Sequence, residues 1–142
     1  MHLLVLEARY YEPINDDLLD GVDRALKEAG ATYDVVSVPG SYELPAALEM
    51  AVAGNKKYDG YVTLGCIIRG ATSHYDLICE AISHKFQDQV TAHKLAFGFG
   101  VLTCENYEQA EERADKTRKD YGGHAAKAAL RMIALKKQFG LS

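Results

Sequence analysis

The run Gly65-Cys66-Ile67-Ile68-Arg69-Gly70-Ala71-Thr72-Ser73-His74-Tyr75-Asp76 joins an apolar strand to a helix-patterned segment through small and hydroxyl residues. Backbone N–H groups, the Thr72 hydroxyl and the His74 imidazole therefore converge at the carboxyl end of a strand, where open α/β sheets bind ligands. The turn at Gly70-Ala71-Thr72 could cradle an anion, while Thr72 or Ser73 could equally serve only to cap the next helix. An imidazole in this position can act as acid or base near neutral pH. His74 is the one histidine in a strand-end loop; His2, His84, His93 and His124 fall at the terminus or in helices. The bland alternative for His74 is a surface histidine in a first helical turn.

Three other segments share this placement: Ala8-Arg9-Tyr10-Tyr11, Pro39-Gly40-Ser41-Tyr42-Glu43 and Thr103-Cys104-Glu105-Asn106. Tyr10 and Tyr42 could stack on a planar ligand, with Glu43 accepting hydrogen bonds from its polar edge. Loop tyrosines that only cap a sheet edge are the competing reading. Arg113 stands among Glu108, Glu111 and Glu112, a spacing that by itself fits an ordinary salt-bridged helix face.

The elements that must position these residues alternate regularly. Residues 3–8, 33–38, 61–68 and 95–102 read as strands. Between them, Leu18, Leu19, Val22, Ala25, Leu26 and Ala29 recur at helical spacing, with Asn15 or Asp16 as the N-cap and Gly30 as the stop. Residues 44–52 give a short helix, and Leu77, Ile78, Ala81, Ile82, Phe86 and Val90 a longer one. Two helices, 107–117 and 123–138, follow in succession, joined near Asp120-Tyr121-Gly122-Gly123. Strands separated by helices imply right-handed crossovers and a parallel sheet covered on both faces, here a three-layer α/β/α sandwich with four strands. The last helix carries two apolar stripes, Ala125, Ala128, Met132, Leu135 and Phe139 beside Ala126, Ala129, Leu130 and Ile133, and so packs on two sides. The second side is expected to meet another subunit.

At 142 residues the chain suits one domain with a full core. Its net charge of −4 gives no basic surface for nucleic acid, and its apolar runs are too short to cross a bilayer. The opening residues enter a strand without the marks of a signal peptide. Cys66, Cys79 and Cys104 lack the spacing of a zinc site and the even count of a disulfide framework, so a reduced, cytoplasmic setting is expected.

Taken together, the motifs resemble the 6,7-dimethyl-8-ribityllumazine synthase family. Val38-Pro39-Gly40-Ser41-Tyr42-Glu43-Leu44-Pro45 is similar to its VPGAFEIP. The run from Gly65 to Asp76 is similar to its G-x-V-I-R-G-x-T-x-H followed by an aromatic and an acid. Phe99-Gly100-Val101-Leu102-Thr103 and Glu108-Gln109-Ala110 with Arg113-Ala114 match two further family motifs. The resemblance implies a flavodoxin-like arrangement and a transferase of riboflavin biosynthesis. Such an enzyme condenses 5-amino-6-(D-ribitylamino)uracil with 3,4-dihydroxy-2-butanone 4-phosphate, releasing phosphate and water without metal or redox cofactor.

By position, the resemblance implies that Tyr10 stacks on the pyrimidine, and that Ser41, Tyr42 and Glu43 line the pyrimidine and ribityl pocket with Ile67 and Ile68 backbone. It implies Ala71 and Thr72 for phosphate and His74 for proton transfer. Phe99 and a phosphate-binding Arg113 would come from the neighbouring subunit of a pentamer or pentamer pair. Two departures stand out: Tyr11 replaces an asparagine common in the family, and the segment from Asp115 to Gly123 lacks the usual Gly- and Lys-rich turn, leaving Lys116, Lys119 or Tyr121 near the position of its lysine. These departures motivate a second reading, an oligomeric scaffold that binds lumazine or flavin without catalysis. The same turn and the lack of a segment before the first strand favour free pentamers over a closed shell.

Overall fold

The computed structural model describes residues 1–141. Its elements are β1 (His2–Ala8), α1 (Glu12–Glu28), β2 (Thr32–Val38), a 3₁₀ turn (Ser41–Glu43), α2 (Leu44–Ala53), β3 (Gly60–Ile68), α3 (His74–His93), β4 (Phe97–Cys104), α4 (Tyr107–Ala114) and α5 (Tyr121–Gln138). The four strands are parallel in the order β2-β1-β3-β4, as a flavodoxin-like three-layer sandwich requires. Alternation along each strand feeds two cores. Leu3, Val5, Val62 and Leu64 face α1, α4 and α5, against Ile14, Leu18, Val22 and Ala126. Leu4, Leu6, Tyr61 and Val101 face α2 and α3, against Leu44, Leu48, Ile82 and Phe86. Each fully buried large side chain contributes about 1.5–3 kcal/mol, against about 0–1 for an exposed ion pair, so these two layers hold the fold.

Strands and helices fall where the apolar pattern puts them, but several ends do not. α1 begins at Glu12 rather than after Asn15 or Asp16, because Pro13 at the first turn fixes a helical φ. Asn15 is then a buried helical residue, not a cap. α4 stops at Ala114 instead of reaching Thr117: the Asp115 carboxylate accepts from the Thr117 N–H (2.8 Å) and hydroxyl (2.7 Å), a local bonding pattern that competes with the helix. α5 starts at Tyr121, so the Gly122-Gly123 pair lies inside the helix and the join runs over residues 115–120. Asp120 caps it from a left-handed conformation (φ 51°), accepting from the Gly123 N–H at 3.1 Å and from Arg24 at 3.1 Å. β4 runs later than expected, to Cys104, drawn on by its pairing with Ile68. Gly30, at φ +71°, does terminate α1.

α5 is two-sided. Ala126, Ala129 and Ile133 are buried, whereas Ala128, Met132 and Phe139 on its other stripe are exposed. That stripe borders an apolar groove of about 570 Å³ along the open β4 edge, with Val90, Leu95, Phe97 and Phe99 opposite. Among the described residues no helix is long and apolar enough to cross a membrane.

The α1–α5 contact depends on Gly122, where a Cβ would collide with the Leu18 backbone carbonyl. Gly122→Ala is expected to cost about 1–3 kcal/mol or more, read from denaturant unfolding. An unchanged midpoint would refute the close approach.

Candidate active site

A cleft of about 340 Å³ opens between β1 and β3 at their carboxyl ends. The chain leaves β1 for β2 on one side and returns to β3 on the other, so this is the point where the strand order reverses. β1–β3 pairing ends at Glu7–Leu64, whereas β3–β4 pairing continues to Ile68–Cys104. Past Leu64, the side of β3 that faced β1 borders the cleft instead. The half-buried Ile67 and Ile68 lie in its wall.

The other walls come from two turns and one helix start. Tyr10 and Tyr11 leave β1, and Gly40, Ser41 and Tyr42 follow β2. Tyr10 and Tyr42 are 73% and 65% exposed, an unusual amount of bare aromatic surface facing one small cleft. Tyr10 packs edge-on against Tyr11 (4.9 Å between centroids), which in turn meets Tyr107 (6.1 Å). Ser41 is buried because Gly65 leaves room for it: a Cβ there would lie 2.7 Å from the Ser41 Oγ. His74 opens α3 and lines the cleft, with Ile78 one turn below.

Arg69 braces this helix start. Its Nε donates to Glu105 (2.8 and 3.1 Å), its two Nη to Asp76 (3.2 Å each), and its guanidinium lies 4.3 Å from the centre of the Tyr75 ring. Glu105 first, then Asp76, raises the Arg69 pKa above its usual range. The loop between, Gly70 to Ser73, is exposed throughout; within it Thr72 Oγ1 accepts from the His74 N–H at 3.3 Å.

The structure thus brings together Tyr10, Ser41, Tyr42, Ile67, Ile68 and His74. Glu43, Ala71 and Thr72 sit beside the cleft without lining it. Phe99 lies on the β4-edge groove, against Phe86, and Arg113 lies on α4, where Nη1 donates to the Gln109 carbonyl at 3.2 Å and stands 3.8 Å from Glu112. Neither reaches the cleft of its own chain. Gly40, Tyr11 and Cys66 belong to the candidate segments but carry no expected role of their own. Ile78 lies outside those segments, although it follows His74 at the i,i+4 spacing that shares a helix face.

Burial, assisted by nearby Cys104, pushes the Cys66 thiol up to about 12, which disfavours the thiolate. Burial likewise raises the Tyr11 phenol, so both present neutral polar groups to a ligand. No cluster of three or more His, Cys, Asp or Glu suited to a metal occurs among the described residues.

Comparison with known proteins gives a consistent result. The family described as 6,7-dimethyl-8-ribityllumazine synthase matches residues 1–137. A protein of that name from Bartonella tribocorum is 50% identical, the match covering 98% of this chain and 92% of the relative. Another from Agrobacterium fabrum is also 50% identical (98% and 97% covered), and one from Sphingopyxis alaskensis is 51% identical (99% and 98% covered).

The bracing role of Arg69 has a direct readout. Arg69→Gln should accelerate amide exchange severalfold at Leu77 and Ile78, the first hydrogen-bonded amides of α3, while leaving β3 protected. Equal protection in the two proteins would show that packing alone holds His74.

Proposed function

The chain belongs to the 6,7-dimethyl-8-ribityllumazine synthase family, and we propose that it condenses 5-amino-6-(D-ribitylamino)uracil with 3,4-dihydroxy-2-butanone 4-phosphate. As a transferase-class member it serves riboflavin biosynthesis. The observation that carries the reading is the cleft itself, where two bare tyrosines, the exposed end of β3 and His74 converge.

In this reading the pyrimidine slides between the tyrosine turns and stacks on Tyr10. Backbone groups of Ile67 and Ile68 hydrogen-bond its edge, and Ser41, Tyr42 and Glu43 meet the ring and ribityl hydroxyls. The phosphate of the second substrate rests on Ala71 and Thr72 at the start of α3. The ring amine attacks the ketone, and loss of water gives the imine. His74 then takes a carbon-bound proton as phosphate leaves. The enol left by that elimination tautomerises to a new carbonyl, and attack of the ribitylamino nitrogen on it, with loss of a second water, closes the ring. Holding both substrates face to face supplies much of the acceleration.

One chain holds only half of this site. Phe99 and Arg113 of a neighbouring copy would complete it, with Arg113 as a permanently charged, bidentate phosphate ligand. The exposed Phe99, Met132 and Phe139 give a copy something apolar to cover and so support self-association. In this reading the assembly is a pentamer or pentamer pair acting in the cytoplasm.

Turnover of the two substrates, followed by absorbance of the lumazine product, tests the reading; tight lumazine binding without turnover would make the protein a scaffold. His74→Ala should lower kcat by about 10²–10⁴-fold with little change in KM, and normal turnover would remove His74 from the mechanism. Arg113→Ala should raise KM for the phosphorylated substrate about tenfold or more, and unaffected kinetics would exclude its phosphate role. Sedimentation should give five or ten times the 15.6-kDa chain, whereas a monomer would contradict the shared site.

A further inference from the structure

We propose that Glu7 is a positioning residue that fixes the distance between the two tyrosine-bearing turns, and thereby the width of the slot that admits the pyrimidine. The inference rests on the function proposed above and deepens it. Glu7 is 4% exposed and lies where β1 is about to leave β3. Its Oε1 accepts from Arg9 Nη1 (2.9 Å) and Asn15 Nδ2 (2.6 Å), and its Oε2 from Ser37 Oγ (2.7 Å).

Those three donors sit on the three segments that build one side of the cleft. Arg9 directly precedes Tyr10. Asn15 is in the first turn of α1, whose opening N–H···O bond runs from Asn15 to the Tyr11 carbonyl (3.0 Å). Ser37, register partner of Glu7 on β2, directly precedes the Val38-Pro39-Gly40-Ser41-Tyr42 turn. Arg9 reaches onward, within 3.7 Å of Glu12 and in a close hydrogen bond with Asp16, so the Tyr10-Tyr11 turn is pinned at both ends.

Packing alone does not call for this arrangement. The same face of β1 is filled by Leu3 and Val5 at the preceding inward positions. A carboxylate there carries a desolvation cost that an apolar side chain would avoid, and in exchange it gives directional, charge-assisted bonds. Asn15 shows the same preference: its amide N–H is given to Glu7 while its buried Oδ1 has no partner among the described residues. The network spends polar satisfaction on geometry, and the geometry it fixes is that of Tyr10 relative to Tyr42.

Three variants test this: Glu7→Ala, Glu7→Gln and Ser37→Ala, each assayed with either substrate varied and by equilibrium binding of the ribitylaminouracil. Glu7→Ala should raise the KM and Kd for the pyrimidine about tenfold while the KM for the butanone phosphate changes less than about twofold. Glu7→Gln, which still accepts from Arg9 and Asn15, should recover most of the loss, and Ser37→Ala should show a two- to threefold effect of the same selectivity, roughly one neutral hydrogen bond's worth. Should Glu7→Ala not fold, the other two decide on the same readouts. Equal changes for both substrates, or an unchanged pyrimidine KM and Kd in folded variants, would overturn the inference. Wild-type protein that binds the pyrimidine without turnover would refute the enzymatic reading alone, and the Kd series would still decide the role of Glu7.

Discussion

β1 and β3 part company after Glu7 and Leu64, and every feature of the cleft follows from that separation. Two parallel strands whose chains continue toward opposite sides of a sheet cannot both keep their connections between them, so a gap opens at their carboxyl ends. Backbone of β3 that would have been satisfied by β1 is left facing the gap. The turns after β1 and β2 must fold over its rim, and the helix after β3 must start at its mouth. Tyr10, Tyr42 and His74 occupy those three places. Gly65 and Ser41 let the second turn settle onto β3, and Glu7 ties it to the first.

The rest of the molecule is arranged to keep this end rigid while leaving its flanks open. α1 and α5 approach through Gly21, Gly122 and Gly123, closely enough that Asp120 and Leu18 occupy the space side chains would need. On the other face α2 and α3 cover less: Met50 is 73% exposed and Val36 at the β2 edge 47%. At the β4 edge Phe99 and the outer stripe of α5 lie bare. An isolated chain gains nothing from these surfaces, since apolar area in water is a cost of about 25 cal/mol for each Å² that burial would recover. Bare apolar surface at both edges of the sheet fits a chain built to be covered by copies of itself.

Much of this was legible in the sequence, and what was not has particular causes. Apolar runs located β1, β3 and β4, because strands covered on both faces show little polar alternation. β2 at the edge, largely exposed, was marked by its β-branched Val35, Val36 and Val38 and by the Pro39-Gly40 stop. Helix ends were misread wherever a side chain or an unusual backbone angle overrode periodicity: Pro13 at the start of α1, the Asp115–Thr117 bonds after α4, the left-handed Asp120 before α5. Residues directly at strand ends, such as Tyr10, Ser41, Tyr42 and His74, could be assigned to the cleft from order alone. Tyr11, Cys66 and Glu7 could not, because their roles depend on which face of a strand or turn they present and on partners from 30 residues or more away, as Ser37 is from Glu7.

Charge at the mouth of the cleft bears on the proposal that a second copy completes the site. The start of α3 offers partial positive charge from its free N–H groups, but that effect is small and fades within a turn. Arg69, the cation beside the loop, is matched by Asp76 and Glu105, one positive group facing two carboxylates. A phosphate resting on Ala71 and Thr72 would therefore meet a local balance that is negative before it arrives. A further cation would offset repulsion of that kind for a dianion more than the helix N-terminus does. In the proposed reading Arg113 of a neighbouring copy is that cation: Glu112, the carboxylate beside it, stands 3.8 Å away, beyond hydrogen-bonding distance. The charges of a single subunit thus fit the proposed phosphate site shared between two copies.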